Sequence, residues 1–512
     1  MNSKMAYLFS SSLDGLIAKI VQVEINIKRG IPRFSVVGLA AASIKEATDR
    51  VRIAIENSGF EFPLQNILVN LSPAGAKKDG SWFDLPIALG ILKSSGQIES
   101  NFPYNEFLIL GELGLDGSVR PLKGITNILL SLKHTQFTSV IVPEENKLEA
   151  SLINFLNVYT ISHLSEINEI LSYEKIKEPH QKRKTHTMFP KGNIHVYNDQ
   201  ILALRAIEIS LAGHHHLLMI GSPGSGKSML AKLAKLISPP LSDSEFLDVL
   251  RIKSSNEHII NENFLNIRRP FRSPHHTASD ISIVGGGRDL KMGEVTLAHR
   301  GILFLDELGE FKPHVIQSLR EPMEEGKITI SRVNGHLTYP SSFIFVGATN
   351  PCPCGYYLSN QTECICSKQK IRNYFSKFSG PFLDRIDLEI ELYLTSDRRT
   401  TNIDLEEIST RIQKVRKIQE IRFAKSHTEF NGRVKSEEID RLFNFDEKSK
   451  KLINSINQNP SRSLRKLSAL KKTARTIADI LNSEKVQEEH LYEAMVYQSF
   501  AKYFSYLNEK IA

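Results

Sequence analysis

His216-Leu217-Leu218-Met219-Ile220-Gly221-Ser222-Pro223-Gly224-Ser225-Gly226-Lys227-Ser228-Met229 decides the fold of this chain. The apolar run predicts a short buried strand, the glycines a tight loop, and Met229 to Ile237 a helix. Strand, GxxxxGK[ST], helix is the context in which successive backbone N–H groups turn inward around phosphates. Lys227 is placed to reach β and γ phosphates, and the Ser228 hydroxyl to join a Mg²⁺ shell. Gly221, Ser222, Pro223, Gly224, Ser225, Gly226, Lys227, Ser228 and Met229 are therefore the expected nucleotide-binding residues. ATP and Mg²⁺ are the expected cofactors.

Such a site needs a second metal-holding acid at the end of a neighbouring strand. Gly301-Ile302-Leu303-Phe304-Leu305-Asp306-Glu307 supplies it: four apolar residues for a buried strand, then two acids. Asp306 would hold Mg²⁺ and Glu307 would polarise the attacking water. Phe343 to Asn350 is another buried strand ending in an amide, and Asn350 would orient that water. Phe382-Leu383-Asp384-Arg385-Ile386-Asp387 then sets an arginine after an apolar pair, for which a surface salt bridge is the plain alternative.

These elements, in this order, resemble an AAA+ ATPase: an α/β P-loop core with a parallel sheet and a helical lid. The resemblance implies that Arg385 reaches the γ-phosphate of a neighbouring subunit, hence a ring, usually of six. It also implies a lid arginine from the same subunit. Arg465 is the candidate, with Arg462 one turn earlier competing. Finer wording narrows the likeness. Phe271-Arg272-Ser273-Pro274-His275-His276-Thr277, Gly285-Gly286-Gly287, Asn350-Pro351-Cys352-Pro353-Cys354-Gly355, Gly380 to Asp387 and Ala474 to Asp479 resemble the magnesium-chelatase-like group, and within it the ComM/YifB family, over essentially the whole chain. That resemblance implies a homo-hexameric motor acting on DNA, a helicase for branch migration in recombination or natural transformation. The alternative is a chelatase-type or protein-remodelling ATPase working through protein partners.

Lys227 and Asp306 lie 79 positions apart, room for an insertion, which Phe271 to Gly287 is expected to form. Lys327 to Tyr339 alternates apolar and polar residues around Asn334-Gly335, a hairpin signal. Lys327, Arg332 and His336 would track phosphates from it, or the hairpin is simply exposed. The chain's four cysteines all fall in Cys352-Pro353-Cys354 and Cys364-Ile365-Cys366. Four thiolates in such a span match a tetrahedral structural Zn²⁺ site, with a redox pair or free thiols as alternatives.

Outward from this core, residues 1–171 alternate strand and helix patterns and form a separate α/β domain. Lys77 to Pro86 and Gly111 to Pro121 resemble the Lon protease domain. Read in register, its catalytic serine falls near Asp84 and its lysine near Ile128, so the resemblance implies a fold without the proteolytic dyad. Residues 172–192 read as a polar linker, 193–395 as the ATPase core and 396–512 as the helical lid. The 512 residues carry 65 Lys and Arg against 57 Asp and Glu, a net charge of +8. From Ser396 onward the count is 23 against 17, so most of the excess sits in the lid, where basic helix faces suit either phosphates or solvent. No apolar run approaches the roughly 18 residues of a membrane span, and the start lacks a secretory signal. A cytoplasmic protein with no membrane partner is expected.

Overall fold

The computed structural model describes residues 4–37, 42–73, 82–99, 101–172, 177–180, 192–258, 267–287, 290–332, 335–357, 359, 362–378, 380–392, 399–458 and 463–498. The chain forms two compact units, one of residues 1–186 with 246–267, the other of 187–245 with 268–512. The grouping of 246–267 with the first unit is not announced by any periodicity. Its anchors there are Arg251, whose Nε donates to Asn127 Oδ1 at 2.9 Å, and Ser255, bonded by Asn127 Nδ2 at 2.9 Å.

The first unit is built on a seven-stranded mixed sheet ordered Arg33–Val37, Asn66–Ser72, Ile17–Lys28, Lys4–Asp14, Phe107–Ile109, Ser139–Pro143, Asn157–Ile161. The alternation of strand and helix patterns read over residues 1–171 takes this form. The helix Ala42–Asn57 buries Ala47, Val51, Ala54 and Ile55. Asp84 begins the helix Asp84–Ser95. Its buried carboxylate accepts from Arg50 Nε at 2.7 Å and from the Leu113 amide at 3.2 Å. Burial pushes that carboxyl up to about 6, with Arg50 opposing. Ile128 is wholly buried. The stretch 74–81 of the Lon-like motif lies outside the described residues, as does the basic trio 182–184 of the linker.

The second unit has a five-stranded sheet ordered Phe271–Arg272, Ile302–Leu305, Ile344–Thr349, Leu217–Gly221, Leu388–Leu392, every pair parallel. Strands buried on both faces read as unbroken apolar runs, which is why three of them were legible. Phe271–Arg272 corrects one expectation. It is the edge strand of this sheet, so the inserted structure begins only after it, with the short helix Asp280–Val284 and the pair Gly285–Gly286 with Lys291–Met292. The predicted hairpin forms: Lys327–Arg332 pairs antiparallel with Gly335–Pro340. Ile328, Ile330 and Tyr339 are buried, while Lys327, Thr329, Ser331, His336 and Thr338 are exposed or half-buried. Val333 and Asn334 lie outside the described residues.

The lid helices are Leu405–Arg422, Glu447–Asn457, Leu464–Ile480 and Glu488–Val496. Side-chain caps start three of them: Asp404, Asp446 and Ser463 each accept from amides of the first turn. The last helix begins after Val486, which bridges to Phe445, and residues 499–512 lie outside the described residues. One continuous apolar core joins Leu217, Ile302 and Ile344 of the sheet to Ile412, Leu470 and Leu491 of the lid. Among the described residues no helix is long and apolar enough to cross a membrane.

Candidate functional site

In a parallel sheet the loops that can hold a ligand gather at the carboxyl ends of the strands. Here Leu217–Gly221 ends in the glycine-rich loop, Ile302–Leu305 in Asp306 and Glu307, and Ile344–Thr349 in Asn350. The three sequence-predicted clusters therefore converge at one edge. Lys227 Nζ curls back to the carbonyls of Gly221 (2.6 Å) and Ser222 (2.9 Å), and contacts Ser225 Oγ (3.4 Å) and Asn350 Oδ1 (3.3 Å). Burial lowers the Lys227 ammonium to about 8, against the pull of Asp306. Ser228 Oγ donates to Asp306 Oδ2 at 2.6 Å, so the two expected Mg²⁺ holders already face each other.

Two backbone features shape the loop. Gly226 sits at φ +89°, and a Cβ there would meet Gln200 Nε2 at 2.3 Å. Gln200 Nε2 donates to the Ser225 carbonyl at 3.0 Å and so braces the turn from beneath. Glu307 is left-handed at φ 49°, an unusual state for a side-chain-bearing residue. Its carboxylate is 3.2 Å from His276 Nδ1, and the His276 ring lies 4.1 Å from that of His275. Sequence reasoning assigned no role to Gln200 or His276. His276 stood inside a quoted motif, but only its place just past the edge strand brings it to Glu307.

Arg385 and Arg465 are not part of this cluster. Asp387 N and Leu388 N both donate to the His216 carbonyl, at 3.2 and 3.0 Å, which fixes this segment at the amino end of the phosphate-loop strand. Four residue steps separate that end from Gly221, roughly 13 Å along the strand. At the amino edge the Arg385 guanidinium pairs with Glu324 and donates to the Pro381 carbonyl, while its Nε is buried with no partner among the described residues. Arg465 Nη2 reaches the other oxygen of the same Glu324 at 3.1 Å. The helix Leu464–Ile480 thus sets Arg465 beside Arg385 at the far edge and not beside Lys227. Arg462 lies outside the described residues. A cleft of about 780 Å³ opens at this edge, lined among others by Glu324, Asp384, Arg385, Arg433, Arg465 and Lys472. Burial lowers the Arg433 guanidinium to about 10, and the Lys472 ammonium is lowered too.

Several of the lid's basic residues are engaged inside the unit. Arg411 pairs with Glu208 (2.7 Å), Lys466 with Glu389 (2.6 Å), Lys471 with Asp440 (2.8 Å), and Arg422 and Arg475 with Asp479 (2.5 and 2.8 Å). Arg416 is buried against the Leu211 carbonyl. Lys414 and Lys417, on the same helix as Arg416, and Lys425 just beyond it are exposed.

The four cysteines come together. Cys352 Sγ lies 3.3 Å from Cys354 Sγ and 3.7 Å from Cys364 Sγ, and all four sulfurs lie within 4.8 Å of one another.

Residues 193–400 match the family described as magnesium chelatase, subunit ChlI. Residues 23–146 match subunit ChlI of Mg-chelatase, and 403–498 the ChlI C-terminal family. The chain is 36% identical over 512 residues to competence protein ComM of Haemophilus influenzae, covering 97% of this chain and 98% of that protein. It is 36% identical over 499 residues to the uncharacterized protein YifB of Escherichia coli K12, covering 97% of each. The chain belongs to the ComM/YifB family. As a ComM/YifB member it is a magnesium-chelatase-like AAA+ ATPase. A shorter likeness, 26% identity over 189 residues, links it to the probable DNA helicase MCM9 of Arabidopsis thaliana, covering 36% of this chain and 23% of that protein.

Proposed function

We propose that the chain is an ATP-hydrolysing motor, assembled as a homo-hexameric ring, that moves on DNA and drives branch migration in recombination or natural transformation. The observation that carries the ring is the placement of Arg385 and Arg465 a full strand length from their own phosphate loop, at an open cleft. Arginines so placed are in position to complete another subunit's site. Both would thus face the neighbour's nucleotide, released from Glu324 by its γ-phosphate.

Within each subunit the loop amides and Lys227 would bind the triphosphate, Ser228 and Asp306 would hold Mg²⁺, and Asn350 would orient the water. Bound Mg²⁺ supplies neutralisation of the phosphate charge. Glu307 would take the water's proton once its carboxylate turns from His276. The hairpin Lys327–Pro340, with its polar exposed face, would touch the DNA backbone. The likenesses to a competence protein and to a probable DNA helicase support DNA as the polymer. The four cysteines would hold a structural Zn²⁺.

A chelatase-type or protein-remodelling ATPase is the second reading, favoured by the description of all three matching families. ATPase rates with and without single-stranded, duplex and four-way-junction DNA separate the two. Stimulation of several-fold by at least one DNA is expected. Indifference to all three, with no DNA binding at low salt, would overturn the DNA reading.

A further inference from the structure

The loop carrying the cysteines leaves the nucleotide edge and returns to it. Cys352 follows Asn350 by two residues and is wholly buried. Ligands about 2.3 Å from a tetrahedral zinc stand about 3.8 Å apart, close to the 3.3, 3.5 and 3.7 Å found among Cys352, Cys354 and Cys364. A disulfide, at about 2.05 Å, is not what holds them. The Tyr357 amide donates to Cys352 Sγ at 3.3 Å, as an amide does toward a metal-bound thiolate.

What the cluster touches is the phosphate site. Gly355, one residue after Cys354, sits at φ +86°, and a Cβ there would come within 2.6 Å of Pro223 Cδ in the phosphate loop. Asn350, whose Oδ1 lies 3.3 Å from Lys227 Nζ, is on the near side of the same turn. On the far side, Ser367 follows Cys366 directly and caps the helix Lys368–Phe375. That helix returns Tyr374, whose hydroxyl is 2.9 Å from Thr349 Oγ1, next to Asn350. Tyr374 also packs on Gly309, where a Cβ would meet its hydroxyl at 2.0 Å, two residues past Glu307. The loop thus starts at Asn350, rests on Pro223 and closes on the strand and turn that bear Asn350 and Glu307.

We infer that one zinc ion bound by Cys352, Cys354, Cys364 and Cys366 is a positioning element of the nucleotide site, setting Asn350 and the Pro223 side of the phosphate loop in place. This rests on the zinc reading proposed above, and it goes further: the metal acts on nucleotide handling and not only on stability. Without it the turn that carries Gly355 loses the tie among its four sulfurs, and the wall against Pro223 loosens.

The full-length protein, purified without chelator, is measured for zinc content and for affinity for a fluorescent ATP analogue before and after removal of metal, with circular dichroism to register folding. Expected are one zinc per chain and, on removal, a fall in nucleotide affinity of at least fivefold in protein that stays folded, restored by added Zn²⁺. Gly355→Ala keeps every ligand and serves if stripped protein or Cys→Ser variants unfold. It is expected to retain one zinc yet bind the analogue several-fold more weakly. Zinc at one per chain with unchanged affinity in both the stripped protein and Gly355→Ala overturns the positioning role and leaves the zinc reading standing. Zinc far below one per chain, with four freely alkylated thiols, overturns the zinc reading itself.

Discussion

Lys227 is the residue at which sequence and environment pull against each other. A phosphate-binding ammonium must be charged, yet burial lowers it to about 8 before any phosphate arrives, while Asp306 alone pulls upward. Binding a polyanion stabilises the charged form, so nucleotide entry raises the Lys227 pKa and takes up a proton above pH 8. Affinity for ATP therefore holds below pH 8 and falls as pH rises through and above it. In Glu307→Gln protein, expected to bind without hydrolysing, the dissociation constant should rise roughly tenfold from pH 7.5 to 9.5. Calorimetry in buffers of different ionisation enthalpy should register the proton uptake. A dissociation constant flat over that range would mean that Lys227 does not gain its charge partner there. The residue types at this site were all legible in the sequence, because phosphate chemistry demands them at set spacings. The partners Gln200, His276 and Glu324 were not, since each reaches its site through the packing of a distant segment.

At the scale of elements, the lid helices show why a charge count misleads. The pattern of Leu464–Ile480 offers Arg465, Lys466, Lys471, Lys472 and Arg475 as a basic face, but Arg475 is 1% exposed and lies against Asp479, which is 2% exposed. Arg422, from the helix Leu405–Arg422, closes on the same carboxylate, and Asn431 Nδ2 donates to it at 2.8 Å. Two guanidiniums and an amide thus share one buried acid, tying two lid helices and their connection together. Removing the acid strands both charges, which costs far more than a surface pair is worth. Asp479→Ala should destabilise the protein by roughly 3–5 kcal/mol, read as an earlier denaturant midpoint, whereas removing exposed Lys417 should move it by less than about 0.5 kcal/mol. Equal midpoints for the two variants would show that the network does not stabilise the lid. Helix and strand positions were read well from apolar periodicity; the direction in which each basic side chain points was not, because pairing depends on which helix lies opposite.

For the whole molecule, the parallel sheet separates the glycine-rich loop from Arg385 and Arg465 by a strand's length, so in the proposed ring a single chain would hold two incomplete half-sites at opposite edges. Mixing tests this. Lys227→Ala and Arg385→Ala proteins should each lack ATPase activity, yet an equimolar mixture should regain activity at about a quarter of its interfaces, where an intact loop meets an intact arginine. Lys227→Ala mixed with Arg465→Ala should behave alike if Arg465 also serves the neighbour; a mixture that stays dead would return Arg465 to its own subunit. The sequence by itself determined the glycine-rich loop and the acids and amide that meet it, the α/β class, the hairpin and the cysteine cluster, because each rests on local residue order: glycine spacing, buried apolar runs, a two-residue turn and a dense run of thiols. Only the tertiary structure decided which edge each arginine occupies, that several of the lid's cations are spent on internal pairs, and that the cysteine loop leans on the glycine-rich loop. These depend on strand direction and on contacts between residues far apart in the chain, which no local pattern encodes.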